Sequence, residues 1–270
     1  MSPAVRRQVA RGLRAAGIEP MRFAPGAFLV VRPSAARQHW PKVEKGLTRF
    51  AMQEHVAALL RQQQVDCVLD VGANRGQYGL DLRRAGYTGH IVSFEPVADV
   101  FAELQAAAAA DGNWSAYPYA LGREDGTTTI NVVPGTLSSV LQPTRFGRKR
   151  YAQLREATTS EVPLRRLDSL LDEVLPAGTR RPYLKLDTQG FDLEVFAGLG
   201  ERASDIVAMQ AEVSLLQIYE GMPDITEALE VYRGAGFDVT ALYPVSRQSA
   251  TSRVLEFDCV MVRAGSRPSG

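Results

Sequence analysis

Four carboxylates and two glycines stand where this sequence could do chemistry. Asp70 lies in VLDVGANRGQY (68–78), Glu95 in VSFEP (92–96), Asp187 in YLKLD (183–187) and Glu212 in AMQAEV (208–213), each toward the end of a short apolar run. In an open α/β sheet that position is the carboxyl end of a buried strand, and ligands collect outside those ends. Gly72 and Gly76 let backbone approach a ligand with no Cβ in the way. A helix beginning at Gln77 would aim free N–H groups at the same place. The glycines read G-A-N-R-G, with Asn74 where a dinucleotide fingerprint has its second glycine. Asp70 would also repel a pyrophosphate lying there. A cofactor with an amino acid end and no phosphate fits better. Glu95 falls where a carboxylate accepts from both ribose hydroxyls, about twenty residues past such a bend.

The elements that must hold these residues alternate. Apolar strand patterns over residues 65–71, 90–96, 114–119, 183–187 and 205–213 are separated by a helical pattern beginning at Gln77, with Leu80 and Leu82 inward, and by others over 97–110, 167–174 and 191–199. Two strands follow in succession over 237–243 and 256–262, after a helix opened by Asp224 with Glu227 in capping-box spacing. The fold class is therefore α/β, a mostly parallel sheet with helices on both faces and a closing antiparallel pair. Residues 127–133 alternate β-branched side chains, and Pro134-Gly135 would turn them back on 137–140 as a hairpin, an insertion near 127–142. The division expected is an N-terminal extension over 1–64, the main domain over 65–264 and a tail over 265–270. Within the extension, 5–16 reads as a basic amphipathic helix, 23–31 as a strand, 33–41 as a loop with His39 and Trp40, and 43–64 as a second helix carrying His55.

VLDVGANRGQY, VSFEP, YALG, RLDSLL and YLKLDTQGFDLEVFAG occur in an order that resembles the FkbM family of S-adenosylmethionine-dependent O-methyltransferases, from about residue 65 to 263. The resemblance implies a Rossmann-like seven-stranded class I methyltransferase sheet, an N-terminal helical cap, and S-adenosylmethionine as cofactor. By position it implies a cofactor site of Asp70, Gly72, Asn74, Gly76, Gln77, Tyr78, Glu95 and Pro96. Ala120 and Leu121 would lie beside the adenine, and Ser138 and Ser139 match the family's paired serines, Ser139 being assigned to the cofactor. The acceptors it implies are hydroxylated small molecules: sugars, glycolipids or macrolides and other polyketides, in natural product or glycan biosynthesis.

Methyl transfer from a sulfonium needs alignment of a nucleophile and removal of a proton. Asp187 and Glu212, on adjacent strands, are candidate bases, with His55 as the alternative. Asp187, Glu212 and Asp192 could hold magnesium, but Gln189 stands where many family members have Glu, so metal is not favoured. A dinucleotide-dependent oxidoreductase of a sugar or alcohol is opposed by the glycine spacing and by the lack of Tyr-x-x-x-Lys. A non-catalytic binding relative is opposed by the intact carboxylates.

With a formal net charge of +1 over 270 residues, no general nucleic-acid binder is indicated. Arg145, Arg148, Lys149, Arg150 and Arg155 form a local basic run, read either as a solvated face or as a clamp for an anionic substrate. Cys67 and Cys259 lie in buried patterns with no zinc or disulfide spacing. No signal peptide or membrane-length apolar run is read, so the cytoplasm is the expected address.

Overall fold

The computed structural model describes residues 12–13, 15–24, 27–31, 40–248 and 251–266. Its chain divides into two compact units, Met1–Phe50 and Ala51–Gly270. The first contains an antiparallel pair, β1 (Glu19–Ala24) with β2 (Ala27–Val31). Helix α1 (Trp40–Gln62) begins in this unit and continues into the second. Trp40, expected in a loop, starts the helix. Most of the helix expected over 5–16, and His39, lie outside the described residues.

In the second unit the chain runs β3 (Cys67–Val71), α2 (Gln77–Arg84), β4 (His90–Phe94), α3 (Ala98–Ala109), β5 (Trp114–Tyr117), β6 (Ala120–Gly122) and β7 (Gly126–Val132). It continues through α4 (Arg145–Arg150), β8 (Thr158–Arg166), α5 (Leu167–Val174), β9 (Pro182–Leu186) and α6 (Asp192–Ala197). Then come β10 (Ala208–Ser214), α7 (Ile225–Gly234), β11 (Phe237–Arg247) and β12 (Val254–Arg263). The main sheet is seven-stranded in the order β11-β12-β10-β9-β3-β4-β5. It is parallel except for β12, which runs antiparallel to both neighbours. This is the class I methyltransferase sheet expected. Strand order reverses between β3 and β9, so the crevice at their carboxyl ends is the topological switch point.

Both faces are covered, which is why β3 and β9 are buried along their whole length. One face packs Val68, Ile91, Trp114, Tyr183 and Val260 against Val56, Leu59 and Leu60 of α1 and Leu104 of α3. The other packs Leu69, Phe94, Leu186, Met209 and Met261 against Leu167, Leu170 and Leu171 of α5 and Tyr232 of α7. Asp224 caps α7 by accepting from the backbone N–H groups of Thr226 and Glu227 at 2.7 and 3.0 Å. Both cysteine thiols are buried, and burial pushes each up to about 12, which silences them as nucleophiles.

The fold-back expected near 127–142 is confined to one antiparallel bridge, Asn131 and Ser139 exchanging backbone hydrogen bonds at 2.8 and 3.1 Å, and the longer pairing of this segment is with another strand. Strand β7 pairs along its whole length with β8, from Gly126 opposite Leu164 to Val132 opposite Thr158. A second, three-stranded sheet results, ordered β6-β8-β7. Pro163 obscured β8 in the sequence, yet it costs no ladder bond to β6, which reaches only Leu164–Arg166. Ala120 and Leu121, expected beside the adenine, are buried strand residues of this sheet.

Candidate active site

Two registered rows of side chains build the site. Across β4, β3, β9 and β10 the pairing sets Ser93, Asp70, Lys185 and Gln210 side by side. One step toward the strand ends come Glu95, Gly72, Asp187 and Glu212, with Asp258 of β12 opposite Glu212. The expected carboxylates therefore share one edge of the sheet, with Asp70 a level below the others.

The lower row is a closed polar network under the glycine bend. Asp70 is completely buried, and its Oδ1 lies 3.0 Å from Lys185 Nζ. The ammonium also lies 3.6 Å from Asp187 Oδ2 and donates to Gly72 O at 3.2 Å. Burial pushes the Asp70 carboxyl up and Lys185 pulls it back. Burial works equally to discharge Lys185, but Asp70 and Asp187 overcome it and hold the ammonium above its ordinary range. On the far side Trp114 Nε1 donates to Ser93 Oγ at 2.9 Å, and Ser93 donates on to Asp70 Oδ2 at 3.4 Å. Asp70 is thus consumed by protein partners rather than offered to a ligand.

Above it the bend is shaped by contact. A Cβ on Gly72, at φ +72°, would sit 2.1 Å from the Asp187 carbonyl oxygen, so only glycine lets the two central strand ends meet. At Gly76 and Gly79 an added Cβ would meet the Trp114 ring at 3.0 and 2.4 Å. Those glycines make room for an indole, not for a ligand as read for Gly76. Asn74 adopts a left-handed backbone, φ 50°. Its side chain accepts from Arg75 N and Gln77 Nε2 at 3.0 and 3.1 Å and donates to Gly135 O at 3.1 Å. Glu95 accepts from Asn74 N at 3.0 Å through Oε2 and from Val97 N at 2.9 Å through Oε1. Burial raises its carboxyl, and those two bonds oppose the rise. Each oxygen keeps a lone pair for a ligand hydroxyl.

The edge above β9, β10 and β12 is an acidic floor. Gln189 Nε2 donates to Asp187 Oδ1 at 3.0 Å and Glu212 Oε2 at 3.3 Å, tying the two expected bases together. Glu212 is pushed well up by burial and by the carboxylates of Glu256, Asp187, Asp258 and Asp192. Glu256, accepting from Ser246 Oγ at 2.9 Å, is raised chiefly by burial to about 7, and Asp258 likewise to about 6. Asp192 turns inward, accepting from Thr188 N at 2.8 Å, Thr188 Oγ1 and Glu212 N at 3.3 Å. Among the described residues no group of three His, Cys, Asp or Glu side chains is arranged to hold a metal ion. Tyr219 and Tyr151 stand close enough to Glu256 and Glu212 to feel both charges.

The remaining expected residues lie elsewhere. His55 pairs through Nδ1 with Tyr243 OH at 3.0 Å, and burial lowers its basicity. Tyr78 OH donates to Gln210 Oε1 at 3.2 Å, and Gln210 Nε2 to Asp258 Oδ1 at 2.9 Å. Ser139 spends its hydroxyl on protein backbone, donating to Gln189 O at 2.8 Å and accepting from Leu141 N at 3.1 Å. Ala120 and Leu121 are buried in separate apolar clusters. Pro96 is half-buried beside Glu95. Sequence reasoning missed Lys185, Trp114, Gln210, Glu256, Asp258 and Tyr219. Lys185 alone carried a signal, as a charge inside the otherwise apolar YLKL.

A family model described as the methyltransferase FkbM domain matches residues 70–239. A relative described as Methyltransferase 1, from Beauveria bassiana (strain ARSEF 2860), is 24% identical over 189 residues, covering 66% of this chain and 74% of that protein. Among solved structures, magnesium protoporphyrin IX methyltransferase from Synechocystis PCC 6803 with bound SAM overlaps at a TM-score of 0.45 and 11% identity, covering 84% of this chain and 85% of that one. A precorrin-6y C5,15-methyltransferase from Geobacter metallireducens GS-15 gives 0.43 and 12%, covering 78% and 87%.

Proposed function

Because this chain belongs to the FkbM methyltransferase family, and S-adenosylmethionine is its methyl donor, we propose that it methylates a hydroxyl oxygen of a small molecule such as a sugar, a glycolipid or a polyketide. The observation that carries the oxygen assignment is the Asp187–Gln189–Glu212 bridge at the switch point.

The residues present suit the cofactor. Glu95 offers a carboxylate to ribose hydroxyls from a fixed position, since both its oxygens are already anchored to backbone. The two cations near the bend are engaged: Arg75 holds Glu103 at 2.8 Å and Lys185 holds Asp70. The edge is therefore suited to hydroxyls and a cationic ligand rather than to a pyrophosphate. When bound, S-adenosylmethionine supplies an electrophilic methyl carbon that carries its own leaving group.

Glu212 is the base in this reading. An ordinary carboxylate, near pKa 4, accepts a proton from an alcohol poorly. One raised by burial among like charges is better matched to the working pH. Gln189 holds Glu212 and Asp187 in place by donating to both, and an amide does so without adding a further negative charge. Its N–H, pointed between the carboxylates, is also the wrong polarity for a cation site, which supports the metal-free form. Asp187, less buried and tethered by Lys185, orients the acceptor hydroxyl. His55 is left to Tyr243.

The test is mass spectrometry and NMR of products formed from 13C-methyl-labelled donor with a panel of partly methylated saccharides and hydroxylated polyketides. A single labelled methyl on oxygen is expected. Glu212→Gln should lower the rate by roughly a hundred- to ten-thousandfold. Label on nitrogen or carbon, or full activity in that variant, would remove the proposal.

A further inference from the structure

Helix α4 carries charge opposite to that of the acidic floor. Arg148, Lys149 and Arg150 of α4, with Arg145 before them and Arg155 after, are all exposed. Elsewhere on the surface arginines find carboxylates: Arg83 with Asp111, Arg123 with Glu194, Arg166 with Asp168, Arg202 with Asp172 and Asp205. Among the described residues, no carboxylate pairs with a cation of the 145–155 run. Two of its guanidinium groups donate to backbone carbonyls, Arg150 Nη2 to Arg247 O at 3.3 Å and Arg155 Nε to Arg148 O at 2.8 Å.

The helix is held rigidly beside the floor. Thr144 caps it, accepting from Gly147 N at 3.0 Å while donating to Ile218 O at 3.0 Å. Gly147 lies so close to the segment leaving β10 that a Cβ there would be 2.4 Å from Ile218 O. The Tyr151 ring lies under the Arg150 guanidinium, 4.9 Å from carbon to ring centroid. Arg247, whose carbonyl accepts from Arg150, follows Ser246, which donates to Glu256 at 2.9 Å. Arg150, without a carboxylate partner among the described residues, is thus tied to the strand whose Ser246 holds Glu256 of the floor.

We infer that Arg150, with Arg148 and Lys149, binds an anionic group, a phosphate or carboxylate, carried by the acceptor. This rests on the reading that the acceptor hydroxyl lies over Glu212 and Asp187. The arrangement orients as well as binds. The floor repels an anion and accepts a hydroxyl proton, whereas α4 attracts the anion, so a molecule with both groups enters one way round. Arginine suits the role because its planar fork meets phosphate or carboxylate oxygens two at a time.

The test titrates the full-length protein with glucose 6-phosphate, with glucose, and with phosphatidylcholine vesicles containing phosphatidylinositol. Arg148→Ala/Arg150→Ala is compared with wild type, and Arg150→Glu serves as a second variant. Wild type should bind a phosphate-bearing probe more tightly than glucose. The double variant should weaken that binding on the order of ten- to a hundredfold, as expected for losing charged hydrogen bonds. Vesicles and soluble sugar phosphate distinguish a lipid-borne from a free phosphate. No preference of the wild type for any phosphate-bearing probe, or a change below about twofold in both variants, overturns the inference. If anion binding depends on Arg150 while no acceptor gains a methyl on oxygen, the anion site stands and the hydroxyl-acceptor reading fails.

Discussion

Lys185→Met isolates what the lower polar row does for the site. The thioether fills much of the space of the lysine stem, so the change is mainly electrostatic. Asp70, fully buried, then keeps a single polar partner, the Ser93 hydroxyl at 3.4 Å. Breaking a buried pair on one side costs about 3–5 kcal/mol. A second route to the magnitude gives a ceiling, because the stranded carboxyl can take up a proton instead of staying charged. For an aspartate of unfolded pKa near 3.9 that costs about 1.4 kcal/mol per pH unit, hence roughly 4 kcal/mol at pH 7 and about 1.5 kcal/mol at pH 5. Loss of the bond to Gly72 O adds about 1 kcal/mol at either pH. The variant should therefore be less stable than wild type by roughly 4–5 kcal/mol at neutral pH, with the deficit shrinking by about half on acidification to pH 5. Adding Asp70→Asn should recover most of it. Urea unfolding of wild type, single and double variants at both pH values measures this. A deficit that does not change with pH, or a double variant no better than the single, would show that the ion pair is not what the lysine supplies.

Other perturbations reach the rim. Glu95→Gln turns an amide N–H toward one of two backbone donors, so calorimetric titration should show S-adenosylmethionine binding weakened on the order of tenfold or more; unchanged affinity would place the ribose elsewhere. Gly72→Ala must hold a left-handed backbone and drive its Cβ toward the Asp187 carbonyl, so unfolding should show a loss above about 1–3 kcal/mol, the cost of the backbone alone. Glu256, Asp258 and Asp192 are raised by burial to about 7, 6 and 6. A carboxyl raised on folding stabilises fully below its unfolded pKa near 4, and that contribution is lost as pH rises through the folded value. Stability attributable to these groups should thus fall between about pH 4 and pH 7. Glu256→Gln should flatten the decline and be the more stable protein near pH 8, by on the order of a few kcal/mol; a melting profile parallel to wild type would contradict the assignment.

Much of this could be read directly from the residues, because buried parallel strands announce themselves locally. Runs such as CVLDV and PYLKL have a continuous apolar character that requires cover on both faces. Polar residues at the ends of such runs must emerge at the carboxyl edge, whatever the rest of the chain does. That alone places Asp70, Glu95, Asp187 and Glu212 toward one edge of the sheet. Asp224 and its helix were legible for the same reason, since a cap is satisfied within a few residues.

Long-range pairing decided the rest. That Thr127 and its neighbours pair with a strand some thirty-five residues on could not be read locally, because the run 158–166 hid its strand behind Pro163 and charged side chains. Register across five strands, not spacing along one, put Lys185 against Asp70 and added Glu256 and Asp258 to the floor beneath Glu212. That contact turned Asp70 from a presumed ligand of the cofactor into a buried partner of lysine. The same contacts gave Gly76 to a tryptophan and took His55 to Tyr243. A residue's type and its strand end are properties of the local chain, but the charges that surround it, and so its pKa and its use, exist only after distant strands have come side by side.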